Sequence, residues 1–125
     1  MDTFSVCLSG EKIEVEALDL TLKRLALTAF HLKGEPIVRR PGHTYAECLI
    51  AFDAPGFRLL ELLQYLLSVN YELRKLGVQD LEVHTLMERS DQINGELSAK
   101  EIAILSELGA DFTWSVIASD VSRTL

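Results

Sequence analysis

Residues 97–117, LSAKEIAILSELGADFTWSVI, decide how the chain ends and how its sheet is completed. Ser98 followed by Glu101 has the spacing of a capping box, in which each residue satisfies a backbone N–H that the helix leaves without a partner. Ile102, Leu105 and Leu108 then mark a helical stripe, and Gly109 supplies the left-handed stop. Beyond it, Phe112, Trp114 and Val116 alternate with Asp111, Thr113 and Ser115, the period of a half-buried strand. The alternation predicts that Phe112, Trp114 and Val116 face the main core beneath a long helix.

That long helix is expected over 57–76. Leu59, Leu62, Leu63, Leu66, Val69, Leu73 and Leu76 mark one face, and Leu60, Leu67 and Tyr71 widen it beyond a simple amphipathic stripe. Asp53-Ala54-Pro55-Gly56 leads into it and Gly77 ends it. Arg58, Glu61, Gln64, Asn70 and Glu72 interrupt the apolar run, so it reads as a core helix and not a membrane span.

The other elements follow from period and punctuation. Phe4, Val6 and Leu8 alternate with polar or small neighbours in a strand that ends at Ser9–Gly10. Residues 14–25 are expected to be helical through Val15, Leu18, Leu22 and Leu25, although Ile13-Glu14-Val15-Glu16 also alternates like a strand. Residues 26–33 and 45–52 read as strands, the second apolar enough to be central. Between them GEPIVRRPGHTY has the Pro and Gly content of a loop. Leu81 to Met87 is another strand, and 88–97 a polar loop.

The resulting order is β-α-β-β-α-β-α-β. Its first six elements have the ferredoxin-like split βαβ pattern, in which two helices cover one face of an antiparallel sheet. The expected fold is therefore α+β: a two-layer sandwich with a ferredoxin-like antiparallel sheet, helices on one face, and the last helix and strand extending the plan. At 125 residues the chain forms one domain, 1–125.

The formal charge is −7, and adjacent basic residues occur only as Lys23–Arg24, Arg39–Arg40 and Arg74–Lys75. A chain with this balance is a poor binder of nucleic acid, whose phosphates demand clustered cations, and suits a basic protein partner instead. No leader pattern opens the sequence, so the cytoplasm is expected, with Cys7 and Cys48 reduced and structural. Nucleotide-binding, nucleophile-elbow and zinc-protease motifs are missing from the sequence. His31, His43 and His84 have no ligand spacing. No catalytic, cofactor or metal residue is expected. Arg39 and Arg40, beside His43 in the Gly/Pro loop, have the chemistry to hold an anion, and equally well charge an edge against sheet-to-sheet pairing.

The carboxylates are denser. Glu11, Glu14, Glu16 and Asp19 form one run, and Glu88, Asp91 and Glu96 a second. In a helix over 14–25, Ile13, Ala17 and Leu20 would set apolar contacts beside the first run, the composition of an interface centre and rim. Glu11, Glu14, Glu16, Asp19, Leu20, Glu88, Asp91 and Glu96 are thus the expected partner-binding residues.

Several features together resemble a widespread bacterial domain-of-unknown-function family of small α/β proteins. They are the first strand ending in Ser9-Gly10-Glu11, the Lys33-Gly34-Glu35-Pro36 turn, the leucine-rich helix, and Leu97-Ser98-x-x-Glu101 through Leu108-Gly109-Ala110 with the strand that follows. The resemblance spans 3–117. Its motifs are strand ends, caps and turns, and it implies no catalytic residues. In size, acidity and architecture the chain is also similar to immunity proteins, the antidotes that bind and block bacterial toxins. That similarity implies a non-catalytic binding module whose partner is a cognate, basic toxin domain such as a nuclease. The competing expectations are a small enzyme or ligand-binding domain with a pocket between sheet and helices, and an oligomeric structural or regulatory subunit, a homodimer for example, paired through the open sheet face or the broad helix.

Overall fold

A computed structural model describes residues 3–89 and 97–118. The elements are β1 (Thr3–Gly10), α1 (Val15–Thr21), β2 (Ala26–His31), β3 (Cys48–Asp53), α2 (Leu59–Lys75), β4 (Asp80–Arg89), α3 (Ala99–Leu108) and β5 (Asp111–Ala118). Their order is the expected one. The fold is α+β, with three helices and one five-stranded sheet in the order β2-β3-β1-β4-β5.

The sheet is mixed, which corrects the antiparallel ferredoxin-like expectation. β1 pairs antiparallel with β3 and β4, and β2 antiparallel with β3, but β5 joins β4 in parallel. The cause is the connection. A hairpin would have returned the chain antiparallel; α3 instead carries it back to the end of the sheet where β4 begins, so β5 runs the same way.

Register and burial show which face is covered. Val6 lies opposite Phe52 and Val83, and Leu8 opposite Ile50 and Leu81. These six side chains are buried in one cluster with Leu18 of α1, Leu62, Leu63, Leu66 and Leu73 of α2, and Ile104, Leu105 and Leu108 of α3. All three helices therefore pack on one face, and the alternate residues of every strand are left on the other.

Local chemistry explains the element ends. Ser98 Oγ accepts from the Glu101 N–H at 3.1 Å, the Glu101 carboxylate accepts from the Ser98 N–H at 2.8 Å, and Gly109 is left-handed, as its place after α3 predicts. At the C-terminus of α2 the half-buried Arg74 donates to the carbonyls of Leu108 and Gln79, each at 2.6 Å. One guanidinium thus fastens α2, the start of β4 and the end of α3 together.

Three further expectations fail. α1 stops at Thr21, and 22–25 form a turn, so the helix is shorter than 14–25. Ile13 precedes it and is only 6% exposed; it belongs to the core and not to a surface flanking the acids. Trp114 is 59% and Val116 37% exposed, which overturns the core assignment of both. The parity of Trp114 is as expected: it lies opposite Thr85 on the helix-covered side of the sheet. β5 is an edge strand, however, and α3 packs chiefly on α2 through Ile104, Leu105 and Leu108 near the beginning of β5. Phe112 is half-buried there, while Trp114 has passed beyond the cover. Trp114→Ala is accordingly expected to cost no more than about 1 kcal/mol, in the range of surface changes. Indole fluorescence should be quenched readily by acrylamide in the folded protein. A shielded indole and a loss of several kcal/mol would contradict this placement.

Candidate functional site

The first acidic run does not act as one patch. Glu11 is ion-paired with Lys33, and its carboxylate, by hydrogen bond and by charge, holds the Lys33 ammonium above the usual lysine value. Glu14 sits at the N-cap of α1 without a side-chain capping bond, and Glu16 in the first turn. Glu16, Asp19 and Leu20 are related by three and four residues and so share the outward face of α1. Leu20 is 76% exposed there, between carboxylates, because Leu18 and Leu22 take the inward positions. Of the second run, Asp91 and Glu96 lie outside the described residues, as does the side chain of Glu88.

A second acidic surface was not anticipated. The uncovered sheet face is built in rows across the strands. Asp53, Ser5, His84 and Thr113 form one row; Ala29, Ala51, Cys7, Glu82 and Asp111 the next; His31, Leu49, Ser9 and Asp80 a third. Small residues occupy the middle, and Asp53, Asp80, Glu82 and Asp111 stand around them. Among the described positions of this face no Lys or Arg occurs. The polar alternation of Ser5-Cys7-Ser9, Glu82-His84 and Asp111-Thr113-Ser115 was visible in sequence. Only the register shows that the acids gather on one plane.

Cys7 lies in this face and Cys48 in the core, opposite Gly10, so the two thiols sit on opposite sides of the sheet and cannot bridge without rearrangement. Burial, and secondarily the charge of Glu82, push the Cys7 thiol above its usual value. That is the reverse of the environment that activates a thiolate.

The histidines are separated. His31 stacks on Tyr45 with ring centroids 4.3 Å apart, and its Nδ1 is 3.5 Å from the Glu35 carboxylate. His84 Nδ1 is 2.7 Å from Thr113 Oγ1. His43 is exposed in the loop, as are Arg39 and Arg40. Among the described residues, no group of three His, Cys, Asp or Glu side chains is placed to hold a metal ion. No described helix is long and apolar enough to cross a membrane.

One cleft, of about 960 Å³, opens at the end of the sheet where β1 begins and β3 ends. The β3–α2 connection, residues 54–58, forms its wall, with Gly56 at φ +77° making the turn that an L side chain would resist. Asp53, Ser5 and His84 of one sheet row reach it from the open face, and Arg58 from the entrance to α2.

No family model matches the chain, and neither the curated proteins nor the solved structures include a match to it.

Proposed function

We propose that this chain is a non-catalytic protein-binding module of the immunity-protein class, acting in the cytoplasm, that neutralises a basic bacterial toxin domain by occupying its surface. The ferredoxin-like likeness of the first six elements and the resemblance to a bacterial family of small α/β proteins belong to the same reading. The observation that carries it is the uncovered sheet face, where Asp53, Asp80, Glu82 and Asp111 surround small side chains without a Lys or Arg among the described positions. A floor of Ser, Ala and Cys lets a partner approach closely, and the carboxylates steer a cationic one. Pairing of two copies through this face would oppose four carboxylates with four, which disfavours the self-assembly alternative. Leu20, between Glu16 and Asp19, offers an apolar anchor at a second contact on α1.

The test uses the product of the reading frame adjacent to this gene, mixed with the purified protein in a stopped-flow instrument. Association is expected to slow steeply with salt, since the Debye length falls from about 10 Å at 0.1 M to about 3 Å at 1 M. Reversal of Glu82 and Asp111 to Lys should lower the on-rate about tenfold or more, with the Glu16→Lys/Asp19→Lys pair giving a smaller loss. Both variants should stay folded, because none of the four carboxylates is in the core. A rate indifferent to salt and to both reversals would remove the electrostatic basis of the reading.

A further inference from the structure

Besides Asp53 of the acidic face, the cleft beside β3 carries chemistry that the proposed protein binding does not use. Its volume of about 960 Å³ is at the upper end of small-ligand sites, which run from about 300 to 1,000 Å³. Asp53 and Arg58 both line it, and among the described residues neither makes an ion pair. Ser5 stands next to Asp53 in the sheet row and adds a hydroxyl. His84 lies on the other side of Ser5, with Nδ1 engaged by Thr113 and the second ring nitrogen left over for hydrogen bonding. Phe57 and Leu86 supply apolar lining.

We propose that this cleft is a binding site for a small zwitterion, specifically a free α-amino acid with an apolar side chain. The charge pattern selects the class. A simple anion would be drawn by Arg58 and repelled by Asp53, and a simple cation the reverse. A ligand that carries an ammonium and a carboxylate a few ångströms apart satisfies both at once. The ammonium pairs with Asp53 and donates to the Ser5 hydroxyl. The carboxylate accepts from the Arg58 guanidinium, whose planar fork suits it, and the side chain lies against Phe57 and Leu86. The cleft shares Asp53 with the proposed acidic docking face, but its ligand and its readout differ, so the toxin-binding reading can fail while this holds.

The experiment is calorimetric titration of the purified full chain with L-leucine and L-phenylalanine, alongside isopentylamine and 4-methylpentanoate, which each lack one of the two charges. Saturable binding of at least one amino acid is expected, with the single-charge analogues weaker by about tenfold or more, the loss of one charge-assisted contact. Asp53→Asn and Arg58→Gln should each weaken amino-acid binding by a similar factor without changing the melting temperature of the free protein, since both side chains are exposed. Three results would overturn the proposal: no saturable binding of either amino acid up to about 10 mM, equal binding of an analogue, or binding unaffected by both substitutions.

Discussion

Phe52→Ala is expected to lower the free energy of unfolding by about 3–5 kcal/mol, the range for removing a large aromatic side chain from a packed core. Phe52 is fully buried, and β3 places it opposite Val6 on one side and Leu27 on the other. It lies under helices on the covered face, where the strands cannot close the space its ring would leave. Phe52→Leu, which retains most of the volume, should cost markedly less. Urea unfolding followed by far-ultraviolet circular dichroism measures both. A loss below about 1 kcal/mol for the alanine variant would mean that the covered face has been assigned to the wrong set of strand residues.

The second large effect is expected at Gly77. Its φ is +103°, and a Cβ there would overlap the Lys12 carbonyl oxygen, which is backbone and cannot swing aside. The turn is also where distant parts of the chain meet: the Gln79 N–H donates to the Ser9 carbonyl at 2.8 Å, and the Glu14 N–H to the Leu76 carbonyl at 3.2 Å. Gly10 completes the contact, because a Cβ on it would overlap the Gly77 carbonyl oxygen. Gly77→Ala thus combines an unfavourable backbone conformation with overpacking, and a loss of about 2–5 kcal/mol is expected from the two. Gly34, with φ +89° but open space around it, provides the control: alanine there carries the conformational cost alone and should destabilise less. Equal melting temperatures for the two variants would contradict the close approach at Gly77.

Much of this architecture was legible in the residues. Ser98, Glu101 and Gly109 specify the ends of α3 by local chemistry, and the structure places a cap and a left-handed glycine where they predict. The leucines of α2 announced a broadly buried helix, and four of them, Leu62, Leu63, Leu66 and Leu73, are buried. What failed depended on long-range information. Strand parity for Trp114 was right, but parity does not say whether a helix extends over that part of the strand, and at the sheet edge none of the described helices does. Ile13 looked like part of an amphipathic helix and is instead drawn inward by the turn at Gly77, 64 residues away in sequence.

The candidate surfaces divide along the same line. Glu16, Asp19 and Leu20 could be placed together from helical spacing alone. Glu11, close to them in sequence, is taken up by Lys33 from beyond β2. Asp53, Asp80, Glu82 and Asp111 come from three strands and form a surface only once those strands are in register. No local pattern brings them together, whereas Asp53 and Arg58, which both line the cleft, flank the short β3–α2 connection and are near neighbours in sequence.

The most direct test of the proposed binding function is to assay the product of the reading frame adjacent to this gene for toxin activity and to titrate that activity with the purified protein. The account predicts that toxin activity falls to baseline at one equivalent at low salt. It further predicts that the Glu82→Lys/Asp111→Lys variant, folded by circular dichroism, needs a large excess for the same effect. Undiminished toxin activity in the presence of excess folded wild-type protein would contradict it.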